Sequence, residues 1–339
     1  MARAIVQRVF PGELLADETY ELIVKGQRKG AVKPGHVLVK VTMRPVHPID
    51  LHIVRTGELV IYKDQGVTLG SEGVGFVAEI GEGVKGFTVG QRVVPILFWK
   101  YFRSGAGGIG SWQDYVEVAE EDVVLVPNSV SDEAACQYVI NPWTAHGLMI
   151  DIAIPKREYL LLSAANSIIG RQLIQIASHW GIRVIAIVRR DGLEEELKGV
   201  GACHVINSST DDIVGIVKEI THGKGAYAAL DGVCGAMTKS IGASVRDGGK
   251  LFVFGTLGGT EFSFCAKDLI RHVQLSWWML TPYLENPVNY ERTKREVMQM
   301  LESHVLQPLA GKKFHLKDFK EAIEESQMDS RGGKVLLID

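Results

Sequence analysis

EYLLLSAANSIIGRQLIQIASHWGIRVIAIVRR, residues 158–190, is the stretch that decides the fold. Its opening run is continuously apolar and bounded by polar residues, as expected of a strand buried on both faces of a parallel sheet. SIIGRQLIQIASHWG then places apolar residues at i, i+3 and i+4, the stripe of an amphipathic helix. RVIAIVRR follows at once as a second apolar strand. Downstream the alternation continues. LEEELKGVG and DIVGIVKEITHG read as helices around the short strand CHVINSS, and AYAALDGV and GKLFVFGTLGG read as strands separated by a helix near Ala236 to Val245. Strand–helix alternation at this pace predicts a doubly wound parallel sheet.

Upstream the texture differs. HVLVKVTMRPV, GVGFVAEIGEGVKGFTVGQRVVPIL and YVEVAEEDVVLVP are short β runs broken by glycine, which predicts a barrel-like β domain. SDEAACQYVINPWTAHGLMI reads as one helix, with Ser131 as its N-cap and acids in its first turn. The tail holds two amphipathic helices, TKREVMQMLESHVLQ and KDFKEAIEESQ, and a closing strand, GKVLLID. The expected organisation is a β domain from residues 1–125 and 300–339, and an α/β domain from 126–299. No Gly/Ser linker separates them, so the default site is a cleft between domains.

The length, 339 residues, fits two domains of ordinary size, and 46% hydrophobic against 23% charged residues excludes a disordered chain. A net charge of -3 provides no basic field for a nucleic acid. No apolar stretch is long enough for a transmembrane helix, and no signal or transit segment is read, so a cytoplasmic protein is expected. Cys136, Cys203, Cys234 and Cys265 form no C-x-x-C pair and read as reduced, buried small hydrophobes. Glycine is in excess, 37 residues of 339, about 11% against a usual ~7%. Such a surplus means tight turns or backbone close to a ligand.

The first functional signal is the turn between the two apolar strands. A helix that begins near Ile168 offers free N–H groups, those of Ile168 and Ile169 included, and a positive dipole end to a pyrophosphate. The G-x-G-x-x-G pattern is degenerate here, with Ala164, Ser167 and Gly170 in the three places and Asn166 beside them. The next strand ends in Val188, Arg189 and Arg190. An NAD enzyme wants an acid there for the ribose 2′-hydroxyl, whereas arginine pairs the 2′-phosphate of NADP. Asp191 is near but follows both arginines, so NADPH is the expected cofactor.

With these pieces in place the chain resembles the medium-chain dehydrogenase/reductase superfamily over nearly its whole length. The matching motifs are VHPIDLHIVRTG (46–57), LGSEGVGFVAEIGEGVKGFTVGQRV (69–93), GIGSWQDYVEV (108–118), NPWTA (141–145), SAANSIIGRQLIQIA (163–177), GACHVIN (201–207) and GGKVLLI (332–338). The resemblance implies a GroES-like β-barrel catalytic domain, a Rossmann cofactor domain and hydride transfer. In zinc-dependent relatives the metal ligands fall where this chain has His47, Ser71 and Ile140. Serine and isoleucine cannot replace imidazole and thiolate, so no catalytic metal is expected. Loss of zinc resembles the quinone oxidoreductase and 2-enoyl thioester reductase branches, and Asn141, Thr144, Asn166, Ser167 and Arg189 match the latter.

The resemblance carries further roles onto this chain. Thr144, with Asn141 beside it, falls where relatives contact the nicotinamide ribose or amide. Gly255, Thr256 and Leu257 end a strand where backbone meets nicotinamide or ribose, and Trp278 and Met279 lie where relatives place backbone against the carboxamide. Lys334 matches a lysine that reaches the cofactor. Thioester reductases carry a tyrosine for the enoyl carbonyl; here that place falls on Glu58, and the nearest tyrosine is Tyr62. His47 is the other donor in this stretch, and the choice among His47, Tyr62 and Glu58 stays open. WKYFRSGAGG (99–108) is an insertion where substrate loops sit. The expected activity is NADPH-dependent, zinc-free reduction of an activated C=C bond in a small molecule, a 2-enoyl thioester or enone. NADPH:quinone oxidoreduction is the alternative, and a catalytically silent NADPH-binding protein is an alternative of another class. Relatives imply a homodimer through the Rossmann sheet edge near residues 250–280.

Overall fold

The computed structural model describes residues 2–7, 20–25, 31–56, 67–98, 109–328 and 332–339. In chain order the early elements are β1 (Ala2–Gln7), β2 (Tyr20–Lys25), β3 (His36–Pro45), α1 (Pro48–Thr56), β4 (Val67–Thr68), β5 (Val74–Ile80), β6 (Arg92–Pro95), β7 (Tyr115–Ala119), β8 (Val123–Leu125) and α2 (Asp132–Ala135). The middle holds α3 (Ile140–Ile152), β9 (Tyr159–Leu162), α4 (Ile168–His179), β10 (Arg183–Val188), α5 (Glu194–Val200), β11 (His204–Asn207), α6 (Ile213–Ile220), β12 (Ala226–Asp231), α7 (Ala236–Ser244) and β13 (Val245–Val253). Then come α8 (Ala266–Ile270), β14 (Gln274–Trp277), α9 (Leu280–Leu284), α10 (Pro287–Glu302), β15 (Ala310–His315), α11 (Phe319–Gln327) and β16 (Lys334–Ile338).

Two compact units result, one of Met1–Ile140 with Gln307–Asp339 and the other of Asn141–Leu306. Among the described residues, the second unit is built on a six-stranded sheet, ordered β11-β10-β9-β12-β13-β14 and parallel throughout. Successive strands step outward from β9 to β11, and the chain then returns to the other side at β12. This is the doubly wound order that the alternation of apolar strands and amphipathic helices predicts. Leu161, Ile185, Ile187, Ala229 and Leu251 form its core with Ile213, Val217 and Ile241 from the helices.

The first unit is β-rich. Its described strands form a sheet ordered β15-β16-β3-β5-β6-β8, with β7 also on β3, and a smaller sheet ordered β2-β1-β4. Val37, Val39 and Val41 alternate along β3 into a core with Val77, Val93, Val116 and Val118. A second core joins Ile5, Val46, Leu69 and Trp112 to Leu316, Phe319, Val335 and Leu337 from the far end of the chain.

The unit boundaries differ from the expected 125/126 and 299/300. Residues after 125 are tied into the first unit. The Arg92 guanidinium donates to Pro127 O and Val130 O at 2.6 Å each, and Lys313 pairs with Glu133 at 2.6 Å. At the other end α10 runs unbroken through residue 300. The single helix expected from Ser131 is two. Ser131 does cap α2, its side chain accepting from Ala134 N–H, but the chain breaks before α3. Val139 and Ile140 N–H groups both donate to Glu72 Oε2 at 2.9 Å, a partner that no local pattern reveals. Two cysteines, Cys136 and Cys234, are buried as expected, but Cys203 is exposed and Cys265 half-buried. No helix among the described residues is long and apolar enough to cross a membrane.

Candidate active site

The carboxyl edge of the parallel sheet carries most of the candidate residues. At the point where the strand order reverses, β9 and β12 are joined by side chains. Ser163 Oγ donates to Asp231 Oδ1 at 2.6 Å and accepts from Gly232 N–H at 2.9 Å. Asp231, fully buried, also accepts from Val233 and Cys234 N–H at Oδ1 and from Thr238 Oγ at Oδ2. Ligands of doubly wound sheets bind outside the carboxyl ends at this reversal, and here a buried carboxylate with four hydrogen bonds fixes it. Ser163 and Asp231 escaped the sequence reading. The one signal was a polar residue ending each apolar run, YLLLS and AYAALD.

Immediately beyond Ser163 the chain turns through Ala164 at φ 49° into α4. Ser167 is the N-cap, its Oγ accepting from Gly170 N–H at 3.0 Å. That leaves the N–H groups of Ile168 and Ile169 with no acceptor inside the helix. Gly170 is required by packing: a Cβ there would stand 2.5 Å from Ala164 O and 2.6 Å from Ala165 O. The helix start is thus held against the strand end with two donors available, as a diphosphate site needs.

β10 ends in buried Val188, and Arg189 and Arg190 follow, both exposed. Ser209 Oγ donates to Arg189 O at 2.7 Å, which fixes the backbone there. Among the described residues no carboxylate pairs with Arg189. The nearby acid, Asp191, accepts instead from Asn207 Nδ2 at 2.7 Å. A cationic strand end with its neighbouring acid engaged elsewhere suits a 2′-phosphate.

Gly255 follows β13, where a Cβ would lie 2.7 Å from Gly232 O, so the two strand-end loops touch backbone to backbone. Thr256 and Leu257 beyond it are exposed. Trp278 N–H donates to Val253 O at 2.8 Å and its indole Nε1 to Asp151 Oδ2 at 2.7 Å, so the ring is held on α3. Met279 after it is 43% exposed, while Asn141 and Thr144 lie on the first turns of α3, buried and half-buried. The strand ends therefore bring Ser167 to Ile169, Arg189 and Arg190, Gly255 to Leu257, and Trp278 with Met279 to one edge.

In the first unit His47, Asp50, Ser71, Glu72 and Lys334 are all buried. Burial pushes the Glu72 carboxyl up to about 7, against the pull of its two backbone donors and the Lys334 ammonium. Asp50 is likewise pushed up to about 7 by burial, against the His47 N–H and the same ammonium. The Cys136 thiol is pushed well up by its burial and by the charge of Glu72. Lys334, which the resemblance carries to the cofactor, is 2% exposed and bears its charge beside these acids. Asp50 was missed as a site residue because its partners come from three separate segments. Among the described residues no three His, Cys, Asp or Glu side chains are placed to hold a metal ion. Glu58, Tyr62 and the 99–108 insertion lie outside the described residues.

Residues 33–128 match the alcohol dehydrogenase GroES-like domain, and residues 169–284 match the zinc-binding dehydrogenase domain. The mitochondrial enoyl-[acyl-carrier-protein] reductase of Dictyostelium discoideum is 27% identical, covering 89% of this chain and 85% of its own. A Bacillus thuringiensis structure assigned as an NADPH:quinone reductase superposes with a TM-score of 0.87 at 28% identity, covering 100% of this chain and 99% of its own. A mycobacterial protein solved with NADPH superposes with a TM-score of 0.80 at 25% identity over 100% of both chains.

Proposed function

Because the chain belongs to the medium-chain dehydrogenase/reductase superfamily, we propose that it is an NADPH-dependent reductase of a C=C bond conjugated to a carbonyl, with 2-enoyl thioesters and enones as its substrate class. The observation that carries the cofactor is the exposed Arg189 at the end of β10, on the same sheet edge as the open start of α4. We assign Asn166, Ser167, Ile168 and Ile169 to the diphosphate, and Arg189 with Arg190 to the 2′-phosphate. Asn141, Thr144, Gly255, Thr256, Leu257, Trp278 and Met279 are assigned to the ribose and nicotinamide. NADPH, when bound, supplies the hydride. His47 and Tyr62 are the two donors proposed for the substrate carbonyl. Reduction is proposed to need no zinc, because Ser71 and Ile140 stand in two of the three ligand positions and neither is a zinc ligand.

The substrate class follows the likeness to enoyl reductases over 89% of the chain. The likeness to an NADPH:quinone reductase over all of it supports quinones as a second reading. NADPH oxidation with crotonyl thioesters, enones and quinones, each with and without chelator, separates the two, and activity lost on chelation sinks the zinc-free mechanism. NADPH binding without turnover of any acceptor points instead to a silent binding protein. Replacing Arg189 with Ala is expected to weaken NADPH by roughly 10- to 150-fold, the worth of hydrogen bonds to a charged group. NADH affinity should hardly change; equal losses for both would refute the 2′-phosphate assignment.

Self-association through β14 is part of this proposal. It is the edge strand of the sheet, and Leu269, Ile270 and Trp277 near it are 61%, 75% and 52% exposed. An apolar sheet edge of this kind is normally covered. Sedimentation as a monomer would refute a homodimer.

A further inference from the structure

Three successive backbone N–H groups at the end of β12 turn onto buried side chains. Gly232 N–H donates to Ser163 Oγ at 2.9 Å, and Val233 and Cys234 N–H donate to Asp231 Oδ1 at 2.9 and 3.1 Å. Such a run of N–H groups is a nest, a ready anion site. Here the chain's own carboxylate fills it, fully buried and tied to α7 by the Thr238 hydroxyl, which donates to Oδ2 at 2.8 Å. The turn carries Cys234 at φ 63°, a left-handed conformation in a buried residue that has a side chain. Residues in that state persist only where their surroundings over-determine them, and they gather at ligand clamps.

The carbonyls of the same turn face the next loop. Val233 O accepts from Gly258 N–H at 2.7 Å. A Cβ on Gly255 would stand 2.7 Å from Gly232 O, and one on Gly235 would stand 2.8 Å from Gly258 O. Phe254 N–H, just before, donates to Asp231 O at 2.9 Å. With backbone against backbone, a shift of residues 232–235 must displace residues 255–258. The start of α4 and the end of β10 are held by other bonds: Gly170 N–H to Ser167 Oγ, Ala165 N–H to Ile187 O and Ser209 Oγ to Arg189 O.

We infer that Asp231 is a positioning residue for the nicotinamide half of NADPH: by holding residues 232–234 it sets the place of the Gly255–Leu257 backbone, and it leaves the adenosine half to α4 and β10. It acts through the backbone, because its two oxygens are already engaged by four donors. All the residues it joins lie within Asn141–Leu306. The inference rests on the assignment of Gly255, Thr256 and Leu257 to the nicotinamide and its ribose.

Adenosine 2′,5′-bisphosphate carries the 2′-phosphate and one phosphate of the diphosphate but no nicotinamide, so its affinity reads the other half of the site. Asp231→Asn keeps a neutral acceptor in the place of Oδ1, and the Thr238 hydroxyl can turn to accept from the amide, so the full-length variant is expected to fold. Its affinity for NADPH is expected to fall about 10-fold, the worth of one hydrogen bond to a charged group. Its affinity for adenosine 2′,5′-bisphosphate is expected to stay at the wild-type value. Ser163→Ala strips the partner of the Gly232 N–H alone and is expected to show the same split to a smaller degree. In the wild type, the amides of Gly232, Val233 and Cys234 are expected to exchange slowly with solvent before NADPH is added, because the loop is already set. Equal losses of the two ligands, which a merely structural role would give, no loss of either, or free exchange of the three amides would each overturn the inference while leaving the cofactor reading intact. A wild type that does not bind NADPH overturns the cofactor reading, and the inference with it.

Discussion

Asp50 Oδ1 and Glu72 Oε1 are buried with no hydrogen-bond partner among the described residues. A carboxylate in that state is costly and a carboxylic acid much less so, which is why both groups titrate near about 7. The unfolded chain ionises them near ~4. The protonated form is thus the one folding favours. Their contribution to stability is fully present below ~4, is lost as pH rises through about 7, and stays lost above it. The Lys334 ammonium limits that loss. Lys334→Met removes the counter-charge and is expected to destabilise the protein by about 3–5 kcal/mol at pH 8, where a buried charge is left unpaired. At pH 5 the acids can stay neutral and the cost should be much smaller. Denaturant unfolding of both proteins at the two pH values checks this, and a pH-independent difference would rule out the counter-ion role. None of this was legible in the sequence. VHPID, SEG and GGK are separate motifs there, and only folding brings their charges together.

At the scale of the element, β9, β10 and β12 were readable because both faces of each are buried, which forces unbroken apolar runs. α4 was readable for its stripe and for Ser167 before it. Gly170 in that helix is a packing residue, so Gly170→Ala forces its Cβ against two carbonyl oxygens. The expected cost is about 1–3 kcal/mol of stability, typical of an overpacked site. NADPH should also bind more weakly, because the helix start must move off the strand end. Chemical denaturation and a fluorescence titration read the two effects; a variant as stable as the wild type would show that the close approach is not needed. Elements that pack one polar face left a weaker trace. β14 (QLSW) and β15 (AGKKFH) are edge strands with exposed positions, and α8 and α9 are single turns or little more, so neither period shows. The start of α1, where Ile49 N–H donates to His47 Nδ1 and His47 N–H donates to Asp50 Oδ2, lay in plain view as His-Pro-Ile-Asp but carries no usual cap residue.

On the scale of the whole molecule, the two units differ in how the chain builds them. Asn141–Leu306 is one continuous segment. It contains its own core and all the strand ends assigned to the cofactor, so residues 141–306 made alone are expected to fold and to melt higher with NADPH than without. Failure of the isolated segment to fold would mean that its sheet needs the remainder of the chain. The first unit is in two pieces. Residues 1–140 alone lack β15 and β16 and lose Leu316, Phe319, Val335 and Leu337 from a core. The return of the tail to the β domain was legible from its closing strand. The place of each boundary was not, since it depends on Arg92 and Glu72 reaching residues 127–140.

The antiparallel pairing of β16 with β3, Leu336 facing Pro45, also sets a timetable. During synthesis β3 emerges early and can pair with β5 and β7, but its Met43–Pro45 end waits for β16 until the entire second unit has been made. Closing so distant a contact is slow, and an open strand edge in the meantime invites the wrong neighbour. That end of β3, although made early, is therefore among the last parts of the β-rich unit to find its partner.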